Sequence, residues 1–417
     1  MERKKIYMYG AILLVALLIL IMLSNPFTQE ILTTNDYLSE DGLWEFGEPI
    51  RINATNVNND QSRPIIWDSL VLYNEKQRFV IPFDREVWVY NMTDNSYTSI
   101  ANKSGVDELV GDIYQNYVTW YDDRNSVYDV HYMDLDDGVD KPVHWFGTRD
   151  DYGFPSIWGD IIAYQDSNDD LWYFDISANS STKFHDCILF EYGQYPQIYD
   201  NIIVYEVYNY SAGGVYELWM YDIDADEETQ LVWGVDCRMP QIWDDKIVYH
   251  TFREGVWTLE YYDLNEGRYY TIITDDEWNS NFMARYPDIY EDLIIYVDES
   301  EGIGIDTQMA MLDLSFSELF GEYGFHLTND TVAYDGGSIH DGVIAYYGRT
   351  MDTFSDDHWV QTYQPTGADI YQEFESETVY NTNWIFLTII IGLTLLAFSI
   401  AYLVDPEGGG GYYAFWK

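Results

Sequence analysis

Basic residues are scarce in this chain. Of 417 residues only 20 are Lys or Arg, against 72 Asp or Glu, and the formal balance is −52. A field of that sign repels polyphosphate and anionic lipid surfaces, so nucleic acid is excluded as a partner. It also works against a compact fold by self-repulsion unless salt or divalent cations screen it. Cysteine is nearly missing, with only Cys187 and Cys237. Histidine is sparse and scattered singly, at 131, 144, 185, 250, 326, 340 and 358, and lone histidines between strands read as structural hydrogen-bonders. The G-x-S-x-G nucleophile elbow, the HExxH zinc motif and the P-loop are all absent. With so many carboxylates some pair stands at glycosidase spacing by accident, so acid density is no argument for catalysis.

What is present is repetition. "PQIYDNIIVY" at 196–205 returns as "PQIWDDKIVY" at 240–249, "PSIWGDIIAY" at 155–164 and "PDIYEDLIIY" at 287–296. Weaker copies are "PIIWDSLVLY" at 64–73, "GDIYQNYVTW" at 111–120 and "GSIHDGVIAY" at 337–346. The seven starts lie 41 to 50 residues apart, a period that belongs to propeller blades or helical-pair arrays. Residue chemistry separates the two. The unit 240–273 reads as four short runs, "PQIW", "KIVYHTF", "VWTLEYYDL" and "RYYTII", broken by Asp, Gly and Asn turns. No run in it holds apolar residues at helical spacing over ten positions. The second run is apolar on both faces, as suits a sheet covered on both sides.

The expected fold is therefore all-β: a seven-bladed β-propeller of four-stranded antiparallel blades over residues 48–375. "EPIRINATNV" at 48–57 is a lone strand that would complete the seventh blade beside "GSIHD", "VIAYYGR" and "HWVQTYQ", leaving no open edge at the seam. "DIYQEF" at 369–374 competes for the same place.

Two long apolar runs flank the repeats. Residues 6–24 follow Arg3, Lys4 and Lys5, are longer than a signal-peptide core and lead into no A-x-A site. Residues 384–404 form a run of 21, and about 20 residues span a bilayer. Both read as transmembrane helices, the first a signal anchor, with a cleaved first segment as the alternative. The basic cluster holds residues 1–5 in the cytoplasm. The segments 25–47 and 376–383 become a stalk and a linker, the propeller lies outside the cell membrane, and 405–417 returns to the cytoplasm. That tail, "DPEGGGGYYAFWK", ends in aromatics. It reads either as a peptide that docks on a cytoplasmic or membrane partner or as an interfacial cluster.

An extracytoplasmic location permits a Cys187–Cys237 disulfide, since both lie in connections between successive blades. Sequons stand at Asn53, Asn91, Asn102, Asn179, Asn209 and Asn329. For calcium, Asp166, Asn168 and Asp170 of "DSNDD" alternate as oxygen ligands do. "DIDADEE", with Asp222, Asp224, Asp226 and Glu228, is a weaker candidate, and both stretches also fit ordinary hairpin turns. The connections between blades are long and aromatic. Trp145, Phe146, Tyr192, Trp278, Phe282 and Tyr323 mark that end of the ring as a binding face.

The "P-x-I-x-G/D-D-x-I-x-Y" pattern followed by "W-x-Y-D-L/I", and "TWYDDRNSVYDVHYMDLDDG" at 119–138, resemble the repeats of TolB-type (PD40/WD40-like) propellers, and similar arrays occur in predicted archaeal surface proteins. The resemblance covers about 48–375 and implies blade architecture. The usual "S-P-D-G" turn is here "W-D-D", "Y-E-D" or "W-G-D", so the bacterial envelope role is not carried over. The expected function is a cell-surface recognition or scaffold protein without catalysis, for an envelope protein or glycan. The alternatives are a surface hydrolase working on glycans or peptides from the channel, and a structural subunit of a larger membrane complex.

Overall fold

The computed structural model describes residues 44–365 apart from 47–48, 53–58, 62–63, 78–84, 125–127, 149–153, 188–190, 211–212, 254–255, 275–283, 299–306, 315–323, 327–331 and 351–354. Both apolar runs, residues 25–43 of the stalk, the linker and the tail lie outside these residues, while Trp44–Phe46, expected as stalk, form a short strand. The described strands form seven antiparallel sheets in chain order. Blade 4 is typical: Glu191–Tyr199, Ile202–Asn209, Val215–Asp222 and Glu227–Val232 pair in succession from the axis outward.

Each blade is written by its turns. The first and second strands are joined by a two-residue hairpin whose first residue has positive φ: Asp68, Gln115, Gly159, Asp200, Asp244, Glu291 and Asp341, between 35° and 58°. Such hairpins match the twist of the strands, and short polar residues tolerate that backbone region best. A repeated bond then locks the blade. The amide of Met92, Leu135, Ile176, Ile223, Leu264, Leu314 or Tyr363, at the end of the third strand, donates to the carbonyl of the second hairpin residue at 2.7 to 2.9 Å.

The second strands are the buried centre, as their two-sided apolar pattern predicts. Ile203, Val204 and Tyr205 are fully buried, as are Ile247, Val248 and Tyr249. Their side chains pack between neighbouring sheets, so the core is a set of interblade clusters instead of one central mass. Val204, Leu218, Ile242 and Ile247 make the layer between blades 4 and 5.

The seam closes with the early strand. Ile50–Ile52 pairs antiparallel with Ser355–Pro365, the third strand of blade 7, placing Ile50 opposite Val360 and Ile52 opposite His358. Ile52 then packs with Ile66, Val71, Tyr73, Ala345 and Val360, so blades 7 and 1 share one cluster across the join. The competing segment 369–374 lies outside the described residues.

One boundary differs from expectation. The first strands of blades 2, 4, 5, 6 and 7 begin several residues before the Pro or Gly that opens each repeat, and run through a register shift near it. Tyr195, Met239 and Tyr286, each just before a proline, have φ of 51° to 52°. Proline cannot donate to the ladder, so the chain bulges at that point and pairing resumes on either side. What reads as the start of a strand is a kink within one.

Candidate functional site

The innermost strands of all seven blades surround the axis. Each ends, immediately before its hairpin, in an aromatic ring: Trp67, Tyr114, Trp158, Tyr199, Trp243, Tyr290 and His340. These seven form a closed circle. Going round it, centroid separations are 4.5, 4.6, 4.2, 5.0, 4.4, 4.6 and 4.2 Å. Trp67, Trp158 and Trp243 also meet one another across the axis at 5.4, 5.7 and 6.5 Å. The smaller rings wedge between them, so the circle is filled, and this end of the channel is shut by aromatic packing. His340 joins chemically as well. Its Nδ1 accepts the Asp68 amide at 3.0 Å, tying blade 7 to blade 1, and desolvation lowers its pKa to about 4, so the ring is neutral at pH 7.

One residue deeper in each first strand, an isoleucine packs between blades: Ile66, Ile113, Ile157, Ile198, Ile242, Ile289 and Ile339, all at least nine-tenths buried. Side chains alternate along a strand, so the residue before each faces the axis again. There the channel turns polar. Asp112 Oδ2 accepts from Ser156 Oγ and from the Ile157 amide, both at 2.9 Å. Ser156 Oγ accepts the Ile198 amide at 3.3 Å. Asp288 Oδ2 accepts the Ile339 amide at 3.0 Å, and Ser338 Oγ the Ile66 amide at 3.4 Å. Each bond runs from one blade to the next, making a polar belt that holds the ring of blades in register.

A cavity of about 390 Å³ occupies this channel. Its lining runs from the aromatic circle through the belt to Tyr195, Met239 and Tyr286 at the bulges, and to Phe154 just before the first strand of blade 3. Among the described residues, carboxylates dominate its charge. Desolvation, with the charge of Asp288 adding to it, pushes the Asp112 carboxyl up to about 6. Arg85 reaches the wall, but its guanidinium is held by Asp107 through two bonds of 2.7 and 2.5 Å. Behind the wall Glu206 is fully buried, accepts from Gln194 Nε2 at 3.0 Å and from the Met239 amide, and is pushed by burial up to about 7.

The residues singled out from sequence lie elsewhere. Trp145 and Phe146 fall in Lys141–Thr148, the outer strand of blade 2, and Tyr192 falls in Glu191–Tyr199, where its ring lies 5.6 Å from Tyr208. These three are strand residues, because the strands extend past the turn signals that suggested loops. Trp278, Phe282 and Tyr323 lie outside the described residues. Other aromatics do stand in solvent at the end opposite the closed circle. Tyr210, between the second and third strands of blade 4, is 65% exposed, and Trp233, in the connection to blade 5, is 71% exposed. Phe252, at the end of the second strand of blade 5, is 41% exposed.

The calcium candidates are engaged internally. Asp166 Oδ1 accepts the amides of Asn168 and Asp170 at 2.8 and 3.0 Å, and Oδ2 accepts Trp172 Nε1 at 3.0 Å. Asp170 pairs with Lys183 at 2.5 Å and accepts the Cys187 amide at 2.8 Å. These bonds are those of a turn. Among the described residues no three His, Cys, Asp or Glu side chains gather closely enough to hold a metal.

No disulfide joins the cysteines. Cys187 Sγ donates to the Asp169 carbonyl at 2.9 Å, whereas Cys237 is fully buried inside a blade 5 strand and faces Thr251 Oγ1 at 3.8 Å. Of the sequons, Asn102 and Asn179 are exposed, Asn91 and Asn209 are half-buried, and Asn53 and Asn329 lie outside the described residues.

The aromatic circle was missed from sequence, although its signal was there: the fourth position of every repeat start is Trp, Tyr or His. That position was read only as the lead-in to a turn. Its convergence becomes visible when the repeats are wrapped into a ring.

No family description matches the chain, and no curated protein does. Among solved structures it is similar to the β-propeller domain of the trilobed protease from Pyrococcus furiosus, described as having an open velcro topology. The TM-score is 0.55 at 12% identity, covering 74% of this chain and 98% of that one. An oligogalacturonate lyase from Vibrio parahaemolyticus matches with TM-score 0.52 at 10% identity, covering 76% and 96%. The Pyrococcus horikoshii acylaminoacyl peptidase matches with TM-score 0.53 at 13% identity, over 76% of this chain and 54% of that one. At these identities the likeness is one of fold: this chain is a seven-bladed propeller resembling those of prolyl oligopeptidase-family peptidases and of the lyase.

Proposed function

We propose that this chain is a non-catalytic recognition or scaffold propeller, held at the cell surface by membrane helices over 6–24 and 384–404, that docks an envelope protein or glycan on the end of the ring opposite the aromatic circle. The TolB-like repeat pattern fits this reading. The observation that carries it is the exposure of Tyr210, Trp233 and Phe252 on that end. Large aromatics are enriched where partners dock, because they supply contact area at little entropic cost. The belt carboxylates fit the same reading, since they tie blade to blade instead of pairing with a nucleophile. The test is purification of the tagged full chain from native membranes with cross-linking and mass spectrometry. A partner cross-linked through blades 4 and 5, and lost in Trp233→Ala, supports the proposal. A partner set unchanged by that substitution overturns the docking face.

A second reading, a hydrolase working from the channel, draws on Asp112 and Asp288, which face the same cavity. A carboxyl kept partly protonated near neutral pH suits general acid work. Turnover of glycoside or peptide substrates that vanishes in both Asp112→Asn and Asp288→Asn establishes it; equal turnover in those variants removes it.

A further inference from the structure

We infer that the outer surface of the aromatic circle is a second docking face, and that it takes a basic, arginine-bearing segment of a partner protein. The inference goes beyond docking on the opposite end and does not depend on it. The circle opens outward. Tyr114, Tyr199 and Tyr290 are half-buried, yet none of them lines the axial cavity, so their exposed parts lie on the outer side. Trp67, Trp158 and Trp243 fill the centre between them. The result is an aromatic disc at one end of the ring.

The hairpins set the charge of the partner. Each ring is followed directly by the first residue of its hairpin. In five consecutive blades, 4, 5, 6, 7 and 1, that residue is an acid: Asp200, Asp244, Glu291, Asp341 and Asp68. All five are exposed, and among the described residues none of them pairs with a Lys or Arg. Lys246, beside them, is taken by Asp245 and Asp292 at 3.2 Å each. The turn itself does not call for charge. Gln115 and Gly159 hold the same position in blades 2 and 3, with φ of 52° and 58°. The charges also reach the rings. Burial, then Asp341 and Glu291, push the Tyr290 hydroxyl up to about 12, and burial, then Asp244 and Asp200, raise that of Tyr199.

The spacing of the acids selects the kind of cation. Among the described residues no three His, Cys, Asp or Glu side chains gather closely enough to hold one metal ion. Charge spread over five hairpins is matched by a chain that carries several cationic side chains. Arginine fits both parts of the surface. Its planar, weakly hydrated guanidinium packs on aromatic rings, and its fork of N–H donors matches carboxylates. An acidic partner meets the wrong sign, and complementary charge steers the basic one to this end.

The test is fluorescence anisotropy of a labelled peptide of alternating Gly and Arg with the full chain in detergent. The same peptide with citrulline in place of arginine is the uncharged control. The arginine peptide binds and the citrulline peptide does not. Asp200→Asn, Asp244→Asn and Glu291→Gln together weaken binding about tenfold, as the loss of three exposed ion pairs does. Asp94→Asn, Asp136→Asn and Glu227→Gln remove the same charge from exposed positions nearer the outer strands, and change binding by less than about twofold. A photoreactive group on the peptide reads the site in the parent chain, with no substitution to disturb folding. It labels residues 199–201, 243–245 and 290–292. Equal binding of the citrulline peptide, equal loss in the two triple variants, or labelling on the end that carries Tyr210 and Trp233 overturns the inference. Spermidine binding as tightly as the peptide overturns the choice of a protein segment as the occupant.

Discussion

Trp158 is the residue on which the aromatic circle depends most, and Trp158→Ala is its sharpest perturbation. The indole lies 4.2 Å from Tyr199, 4.6 Å from Tyr114, 5.4 Å from Trp67 and 5.7 Å from Trp243. Aromatic pairs contribute about 0.5–1.5 kcal/mol each beyond area burial, and Trp→Ala at a packed site costs about 3–5 kcal/mol. Trp158 is half-buried, which lowers the transfer contribution. However, the rings are fixed to seven separate hairpins and cannot collapse into the gap, so the cavity contribution stays. A loss of about 3 kcal/mol follows, which for a domain of this size lowers Tm by roughly 5 °C. The assay is thermal unfolding of the full chain followed by far-ultraviolet circular dichroism, which does not depend on the deleted indole. Trp158→Phe recovers most of the loss. A double-mutant cycle with Tyr199→Ala shows coupling of at least about 0.5 kcal/mol, as contacting residues do. A Tm within about 1 °C of the parent, or strict additivity with Tyr199→Ala, refutes a packed circle.

Acidification stabilises the fold. Burial pushes Asp112 up to about 6, Glu206 up to about 7 and Glu108 up to about 8, whereas unfolded carboxyls titrate near about 4. The native state therefore binds more protons between about pH 4 and 8, and stability falls as pH rises through that window. Urea midpoints are higher at pH 5 than at pH 8, and Glu206→Gln flattens the difference; a higher midpoint at pH 8 contradicts the burial of these groups. Gly111→Ala destabilises by about 1–3 kcal/mol, as overpacking does. A Cβ there meets Pro155 Cγ at 2.5 Å and the Thr119 carbonyl at 2.9 Å, and an unchanged denaturation midpoint removes that close approach. Raising salt from low to molar concentration raises Tm, because it screens a chain of net charge −52. An unchanged Tm means that self-repulsion does not limit the stability of the fold.

The blade count and the order of strands were legible because each rests on local chemistry repeated seven times: a turn after Trp, Tyr or His, and an apolar second strand. The sealing strand occurs once, so the sequence left 48–57 and 369–374 as rivals, and the ladder places Ile50–Ile52 at the seam. Strand starts were less legible. Proline at 196, 240 and 287 looks like a beginning, and only the ladder shows pairing on both sides of it. That shift moved Tyr192 and Cys237 from loops into strands. The polar belt was hidden for another reason. Asp112, Ser156, Asp288 and Ser338 share a repeat position but not a residue type, and their partners are backbone amides of the next blade, which sequence does not display. The carboxylates of "DSNDD" illustrate a third limit: alternating oxygens suit a cation and a tight turn equally, and three-dimensional contacts decide between them.

The most direct test of the account is a crystal or electron-microscopy structure of the full chain at side-chain resolution. It is expected to show seven four-stranded sheets, Ile50–Ile52 paired with the third strand of the last blade, and Trp67, Tyr114, Trp158, Tyr199, Trp243, Tyr290 and His340 in ring-to-ring contact across the axis. Six or eight sheets, or an axis open at the level of those seven residues, contradicts it.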